Sequence, residues 1–294
     1  MKNLFKEIKG IKVFENEPLK NYSSLRIGGN ARYLIKIYNL KALLKTIELI
    51  NKWRLKFMVI GEGTNILFPD KGFNGVVIKL MGEFRKIDRT KNIFLCGGGA
   101  LIKNFINKAV ESGYSGMEFL AGIPGSIGGA VKGNAGAFGK SISEIVKRVS
   151  ILDSKARVKK LSREKIKFAY RYSSIPDNSI IFEVELKLRR GEKKTTKRKI
   201  KELLKMRRQK QPKGLSAGSF FKNPKPLSAG RLIEECGLKG LRVGDAVISK
   251  KHANFIINRG EAKAEDVLNL VKIVKKRVKE IKGVELEPEV RILK

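Results

Sequence analysis

The 294-residue sequence contains few of the residue types that support metal, disulfide or imidazole chemistry. It has two cysteines, one histidine and one tryptophan. Cys96 and Cys236 lie far apart and outside any ligand motif, so neither a disulfide framework nor a zinc site is indicated. We therefore expect no metal, and we interpret both cysteines as small buried apolar residues.

Long apolar runs are also missing. No stretch is long enough to span a bilayer, and residues Met1–Glu7 carry charge where a signal peptide needs an uninterrupted apolar core. We therefore expect a cytoplasmic protein that does not bind a membrane. Hydrophobic residues make up 42% of the chain, enough for more than one core, and we expect two or three domains.

Negative charge is scarce relative to positive charge. The chain has 64 Lys and Arg but only 28 Asp and Glu, which gives a formal net charge of +36 at pH 7. This excess indicates an anionic partner, and nucleic acid or a nucleotide ligand would both fit. The densest basic stretch, Arg189–Lys213, contains no aromatic residue and is typical of the solvated face of a helix around Ile200–Met206. The charge alone does not choose between these partners.

Apolar periodicity predicts a chain that mixes helices and strands. A helical stripe runs through Leu40–Trp53 and is followed by a short buried strand, Phe57–Ile60. Further strands are predicted at residues 76–78, 93–96, 180–188, 246–248 and 255–257, and further helices at 101–112, 228–236 and 264–281. The first hundred residues alternate strand, glycine turn and helix, and the last portion is predicted to form a separate α+β unit.

Glycine and other small residues dominate two segments of the N-terminal half, Gly61–Asn65 and Ala121–Ser141. Because glycine destabilises the interior of a helix or strand by about 0.5–1 kcal/mol relative to Ala, we expect no ordinary helix or strand in the second segment. Main chain that closely approaches a phosphate-bearing ligand explains both segments. Ordinary tight turns are the alternative for each segment taken singly.

Neither segment matches a common nucleotide-binding motif. Gly61–Asn65 lacks the third glycine of the Rossmann motif, which argues against a nicotinamide-type Rossmann fold. Gly139–Ser141 resembles the end of a P-loop, but Asn134 stands where that motif has its first glycine. The sequence therefore argues against a nucleoside triphosphatase.

Read together, these segments resemble the flavin-binding segments of UDP-N-acetylenolpyruvoylglucosamine reductases, which share a fold group with vanillyl-alcohol oxidase. The segments are Gly61–Asn65, Gly122–Gly129 and Asn134–Ala137. The resemblance covers nearly the whole chain in the same order and continues through Tyr170–Ser173, Gly218–Pro224 and Leu286–Arg291.

The resemblance implies a two-part FAD-binding domain of the vanillyl-alcohol-oxidase type, followed by a C-terminal α+β substrate-binding domain. We expect FAD-binding subdomains at residues 1–80 and 81–192 and the substrate-binding domain at 193–294. FAD would be noncovalent, since families that tether flavin use a His or Cys in such loops and neither occurs here. The implied cofactor contacts are Gly61, Glu62, Gly63, Thr64, Asn65, Gly122, Ile123, Pro124, Gly125, Ser126, Gly128, Asn134, Gly136 and Ala137.

The family reaction reduces the enolpyruvyl group of a UDP-sugar to form UDP-N-acetylmuramate, a precursor of the bacterial wall, with NADPH as hydride donor. Hydride arrival at C3 builds negative charge on C2 and the carboxylate, so an arginine, a carboxyl group and a proton donor are required. Arg171 matches the family arginine at the substrate carboxylate, and Glu289 matches the glutamate that assists it. Ser219 matches the proton donor, with Lys222 as a contributor to its acidity.

The resemblance also implies substrate contacts at Tyr170, Asn223 and His252, although a structural role fits His252 equally well. Arg207 or Arg208 is a candidate phosphate contact. The short interval after Arg171 leaves no room for the extra loop of longer family members, so the chain resembles the shorter subclass.

We further expect a monomer that binds UDP-N-acetylenolpyruvoylglucosamine and NADPH and no nucleic acid. Two alternatives stay open. One is a basic nucleic-acid-binding protein, and the other is a flavin oxidase of the same fold that acts on another substrate.

Overall fold

The computed structural model describes residues 4–293. These residues form twenty strands and six α-helices, and the predicted α+β class is confirmed. The strands are β1 (Ile11–Pro18), β2 (Asn30–Ile37), β3 (Phe57–Ile60), β4 (Ile66–Leu67), β5 (Phe73–Leu80), β6 (Ile87–Thr90), β7 (Ile93–Gly97), β8 (Tyr114–Ser115), β9 (Gly136–Ala137), β10 (Lys140–Ser141), β11 (Val146–Leu152), β12 (Val158–Ser162), β13 (Phe168–Ala169), β14 (Tyr172–Ser173), β15 (Ile180–Lys187), β16 (Arg189–Arg190), β17 (Arg242–Val243), β18 (Ala246–Ile248), β19 (Ile256–Asn258) and β20 (Arg291–Ile292). The helices are α1 (Leu40–Lys52), α2 (Ile102–Glu111), α3 (Ile127–Lys132), α4 (Lys193–Lys210), α5 (Ala229–Glu235) and α6 (Ala264–Lys282).

The described residues divide into two compact units. Unit 1 comprises residues 4–15, 32–61 and 74–206, and unit 2 comprises residues 16–31, 62–73 and 207–293. The chain passes between the two units at five points, which fall inside β1, β2, β5 and α4 and at the peptide bond between Gly61 and Glu62. The predicted domain division at residues 80 and 192 stays a prediction.

Unit 1 is built on two larger sheets. The first has the strand order β1-β2-β5-β3, with β3 parallel to β5. The second has the order β12-β11-β15-β7-β6 and is antiparallel throughout. Helix α1 buries Leu43 and Ile47 in a core with β2 and β5, while α2 and α3 share a second core with β7, β11 and β15.

Helix α1 illustrates how local sequence sets an element of unit 1. Asn39 precedes it, and its side-chain oxygen accepts a hydrogen bond from the Ala42 N–H at 2.8 Å. Leu43, Ile47 and Ile50 are buried at helical spacing, as the apolar stripe predicts.

Unit 2 contains the three-stranded sheet β17-β18-β19 and the helices α5 and α6. Helix α6 buries Leu270, Val274 and Val278 along one face. It ends at Lys282 and is capped by Gly283, whose φ of +67° is the left-handed conformation that glycine adopts readily. A parallel pair formed by β4 and β20 joins Ile66 to the C-terminal segment.

The glycine-rich segment departs from expectation. The sequence analysis predicted no ordinary helix or strand between Ala121 and Ser141. That prediction is wrong, because α3 and the β9–β10 pair lie there. The first turn of α3 contains Gly128, whose N–H donates to the Gly98 carbonyl at 2.8 Å. The close packing that glycine permits offsets its low helix propensity.

Some predicted elements are longer in the structure, and some observed strands were not predicted. Helix α4 is longer than the predicted stretch from Ile200 to Met206, and β1, β2, β11 and β12 were not predicted. Cys96 is buried, as expected, and burial raises the pKa of its thiol, whereas Cys236 is only partly buried. Among residues 4–293, no helix is long and apolar enough to cross a membrane.

Candidate functional site

The first glycine-rich loop leaves β3 at Gly61 in unit 1. A Cβ atom at Gly61 would lie 2.5 Å from the Ser126 Oγ, so a larger residue would displace that side chain. Ser126 is buried and caps α3, because its Oγ accepts a hydrogen bond from the Gly129 N–H at 3.3 Å. The end of β3 and the start of α3 therefore lie side by side.

Main-chain contacts fix the second glycine-rich segment on the sheet that contains β7. The Ile127 N–H donates to the Ala100 carbonyl at 2.8 Å, and the Ile102 N–H donates to the Gly125 carbonyl at 3.1 Å. A Cβ at Gly128 would lie 2.8 Å from the Gly98 carbonyl oxygen. Close backbone approach is the reason for glycine at this position.

Lys79 was missed by the sequence analysis. It lies in β5 in register with Ile60 and is 9% exposed, and its ammonium donates a hydrogen bond to the Gly61 carbonyl at 2.6 Å. A buried ammonium is unfavourable unless polar groups compensate it, so this contact ties the charge to the loop. The sequence signal that could have revealed this residue is the position of a lysine inside the otherwise apolar run Val76–Leu80.

Asn134 connects the glycine-rich segment to the hairpin of Arg171. Its buried side chain donates to the Ala169 carbonyl at 2.8 Å and accepts from the Ser143 N–H at 3.3 Å. Gly136 and Ala137 follow in β9.

Arg171 occupies the tip of a tight hairpin. Strands β13 and β14 pair Ala169 with Tyr172, which leaves Tyr170 and Arg171 as a two-residue turn. Arg171 has a φ of +55°, an uncommon conformation for a residue with a side chain. Its guanidinium lies 5.0 Å from the centre of the Tyr170 ring. The hairpin is also tied to the end of α3, since the Ser173 Oγ donates to the Lys132 carbonyl at 2.7 Å.

Residues Glu62–Asn65 of the first loop belong to unit 2. Gly63 has a φ of +63°, and its carbonyl accepts a hydrogen bond from the Ser24 N–H at 3.0 Å. The Asn65 side-chain amide donates to the Glu289 carbonyl at 3.2 Å, and the Asn65 carbonyl accepts from the Arg291 N–H at 3.1 Å. This part of the loop is therefore joined to the segment that contains Glu289.

Ser219 and Glu289 lie on paired segments of unit 2. The Glu289 N–H donates to the Phe220 carbonyl at 2.8 Å, and the Lys222 N–H donates to the Glu287 carbonyl at 2.9 Å. The Lys222 ammonium lies 3.1 Å from a carboxylate oxygen of Glu287. The structure thus brings together two of the three predicted catalytic residues, and Arg171 belongs to unit 1.

Asn223 and His252, two of the predicted substrate contacts, make structural contacts in unit 2. The Asn223 side-chain oxygen accepts from the Ala229 N–H at 3.0 Å, at the first turn of α5. The half-buried His252 ring lies 5.0 Å from that of Phe255, centre to centre, and burial lowers the pKa of His252. These contacts favour the structural role that was left open for His252, while substrate contact stays a prediction.

The glycine-rich part of unit 1 has the chemistry that a pyrophosphate-bearing group requires. Two small-residue main-chain segments meet where Gly61 approaches Ser126, and the ammonium of Lys79 lies beside one of them. Main-chain N–H groups and a buried cation bind phosphate without a dedicated side-chain cage. The residues present therefore fit FAD, and neither segment contains a His or Cys that would tether it.

Two family models match the chain. Residues 31–162 match the FAD binding domain, and residues 209–293 match the model described as UDP-N-acetylenolpyruvoylglucosamine reductase, C-terminal domain.

Curated relatives and a solved structure extend this similarity over nearly the whole chain. The UDP-N-acetylenolpyruvoylglucosamine reductase of Syntrophus aciditrophicus is 38% identical over 96% of this chain and 92% of its own length. The reductase of the same name from Caldanaerobacter subterraneus subsp. tengcongensis is 40% identical over 96% of this chain and 94% of its own. The crystal structure of the Thermus caldophilus reductase superposes with a TM-score of 0.85 at 38% identity, covering 97% of this chain and 99% of that one.

Proposed function

Because the chain belongs to the UDP-N-acetylenolpyruvoylglucosamine reductase family, we propose a division of the family reaction among the residues described above. The protein is a FAD-dependent oxidoreductase that uses NADPH to reduce UDP-N-acetylenolpyruvoylglucosamine in the synthesis of peptidoglycan precursors. The observation that carries this conclusion is 38–40% identity to curated reductases over 96% of the chain. The resemblance inferred from the sequence motifs is confirmed.

In our proposal, main chain of Gly61–Asn65 and Gly122–Gly128 binds the FAD pyrophosphate. The bound flavin supplies the hydride relay between NADPH and the enolpyruvyl group. The contact between Gly61 and Ser126 and the Lys79 hydrogen bond to the Gly61 carbonyl support this assignment. Asn134, Gly136 and Ala137 complete the cofactor contacts.

We assign the proton-transfer and charge-stabilising roles to three side chains. Arg171 binds the substrate carboxylate through the planar fork of its guanidinium. Ser219 donates its hydroxyl proton to C2 of the enolpyruvyl group, and Glu289 stabilises the charge that develops beside it. The hydrogen bond from the Glu289 N–H to the Phe220 carbonyl at 2.8 Å supports a joint role for Ser219 and Glu289.

The remaining expectations concern partners and location. We propose a cytoplasmic monomer whose anionic partners are the UDP-sugar, NADPH and FAD, with no nucleic acid or membrane. The name of the curated relatives, UDP-N-acetylenolpyruvoylglucosamine reductase, supports the UDP-sugar as a partner. Sedimentation of the purified protein with and without mixed-sequence DNA tests both the oligomeric state and the nucleic-acid alternative.

The role of Ser219 is tested by separating the two half-reactions. Ser219→Ala should leave flavin reduction by NADPH nearly intact and slow flavin reoxidation by the enolpyruvyl substrate by about 100-fold, since general acids contribute roughly 10²–10⁴ in rate. Stopped-flow absorbance of the flavin measures both steps.

The exposed Ser228, which precedes α5 and makes no side-chain cap hydrogen bond, provides a matched control. Ser228→Ala should leave both half-reactions unchanged. Equal slowing of both half-reactions in Ser219→Ala would refute the assigned role.

A further inference from the structure

We infer that Asn254 is a positioning residue that holds the Ser219 segment in place for proton delivery. This inference rests on the proposed role of Ser219. Asn254 was not among the residues singled out in the sequence, and the hydrogen bonds described below join it to other residues of unit 2.

The Asn254 side chain binds both main-chain groups of a single residue. Its Oδ1 accepts a hydrogen bond from the Phe221 N–H at 2.8 Å, and its Nδ2 donates to the Phe221 carbonyl at 2.8 Å. Asn254 is 3% exposed and Phe221 is 2% exposed, so water does not readily replace these bonds. The amide thus acts as a strand partner for the Ser219 segment.

The main chain of Asn254 extends the same contact toward Ser219. The Asn254 carbonyl accepts from the Phe220 N–H at 2.7 Å, and Ser219 itself pairs with Phe255 in an antiparallel bridge. The Phe220 carbonyl in turn accepts from the Glu289 N–H at 2.8 Å. The two peptide groups that follow Ser219 are therefore bonded to the Asn254 segment on one side and the Glu289 segment on the other.

The main chain of Asn254 is itself held by a hydrogen bond to His252. Its N–H donates to Nδ1 of His252 at 3.2 Å, and the His252 ring packs on Phe255. The only histidine of the chain thus takes part in ordering the segment from which Asn254 reaches Phe221.

Residue chemistry explains why asparagine is required here. An amide supplies one acceptor and two donors at the end of a short side chain, whereas an ionised Asp supplies acceptors only. Asn254→Asp keeps the size of the side chain but loses the bond to the Phe221 carbonyl and places a charge in a buried site. The Ser219 segment should shift as a result.

A shift of this segment should affect one half of the reaction selectively. Proton donation to C2 depends on where the Ser219 hydroxyl lies, while flavin reduction by NADPH does not use that hydroxyl. Displacement by about 1 Å slows a positioned reaction by as much as about 100-fold. A residue that serves stability alone would not separate the two half-reactions.

The test uses the FAD-loaded enzyme and a matched control, Asn258→Asp. Asn258 is 4% exposed and also belongs to unit 2, but its side chain contacts Leu25, Gly260 and Ala262. Both variants lose an amide donor in a buried site of the same unit. Thermal unfolding and the two half-reactions are measured for each variant beside Ser219→Ala.

We expect Asn254→Asp to slow flavin reoxidation by the enolpyruvyl substrate by about 10- to 100-fold, with flavin reduction within about twofold of the wild-type rate. The solvent deuterium isotope effect on reoxidation should increase, because proton transfer becomes the slower event. Asn258→Asp should lower the melting temperature without separating the half-reactions.

Two results would overturn the inference: equal slowing of both half-reactions, or unchanged reoxidation in a folded Asn254→Asp enzyme. If that variant does not fold, Asn254→Ser, which keeps a small hydrogen-bonding side chain, is judged by the same two criteria. If Ser219→Ala slows both half-reactions equally, the proposed role of Ser219 is refuted as well. If Ser219→Ala slows only flavin reoxidation but the Asn254 variants do not, the role of Ser219 stands and only the positioning role of Asn254 is refuted.

Discussion

At the scale of single residues, the site depends on contacts between side chains and main chain that are distant in sequence. Gly61 lies against Ser126, Lys79 binds the Gly61 carbonyl, and Asn254 binds Phe221. In each case a polar or small residue type is required by one specific neighbour. The contact between Gly61 and Ser126 leads to one prediction, and the burial of His252 leads to a second.

Gly61→Ala should weaken FAD binding and destabilise unit 1. The new Cβ would lie 2.5 Å from the Ser126 Oγ and would force that side chain away from the cap of α3. Overpacking of this kind destabilises by about 1–3 kcal/mol. Urea unfolding and the dissociation constant of FAD measure the two effects.

A double-mutant cycle identifies the cause of the Gly61→Ala effect. Ser126→Ala removes the Oγ, so the double variant should be more stable than the sum of the two single effects predicts. Additive effects would contradict a clash at this atom.

The burial of His252 should make the folded protein less stable at acidic pH. Burial lowers its pKa in the folded protein, with Lys239 acting in the same sense and Glu234 opposing it. An unfolded histidine has a pKa of about 6.5, so below that pH the unfolded state binds a proton that the folded state does not. The free energy of unfolding should therefore fall as pH decreases below about 6.5, by about 1.4 kcal/mol for each unit of pKa difference once the folded group also titrates.

Chemical denaturation between pH 5 and 7.5 measures this dependence, and His252→Gln should reduce the slope near pH 6. NMR titration of the single imidazole gives an independent value. A folded-state pKa above 6.5 would contradict the prediction.

At the scale of elements, local sequence signals predicted helices better than the short strands that shape the site. The stripe in α1 and the alternation in β15 were read correctly, since their periodicities follow from packing on one face. Helix α3 was missed because its glycine content opposes helix formation. Its position depends on the bond between Gly128 and Gly98, which no local pattern shows.

Asn39→Ala should destabilise the protein through α1. The substitution removes the hydrogen bond from the Ala42 N–H, and loss of such a cap costs about 1 kcal/mol. Asn104→Ala, on the exposed face of α2, is the control and should be neutral or slightly stabilising, because Ala favours the helix. Comparable loss of stability in both variants, measured by urea denaturation, would argue against the capping role.

At the scale of the whole molecule, the formal charge of +36 exceeds what the ion pairs among the described residues can neutralise locally. Glu111, for example, pairs with both Lys193 and Lys197, yet α4 carries a further series of basic residues. Uncompensated charge of one sign destabilises the compact state by repulsion.

Added salt should therefore raise the melting temperature. Screening shortens the Debye length from about 30 Å at 0.01 M salt to about 3 Å at 1 M, which weakens repulsion across the surface. Thermal unfolding in increasing NaCl, with FAD kept in excess, measures the effect, and sucrose at matched osmolality is the control. A melting temperature that falls with NaCl would show that surface ion pairs outweigh the repulsion.

The order of motifs along the chain was sufficient to identify the family, the α+β class, FAD and NADPH. The family could be identified because its motifs occur along the chain in the expected order, and the fold class, FAD and NADPH followed from that resemblance. Periodicity by itself indicated individual helices and strands, since buried faces leave a period of two or 3.6. Tertiary structure alone showed that Lys79 supports the Gly61 carbonyl, that Ser126 limits position 61, and that Asn254 holds the segment of Ser219. These contacts join residues between 18 and 65 positions apart. Side-chain patterns in a single sequence report burial and local backbone conformation, whereas such pairings arise only when distant segments are brought together by folding.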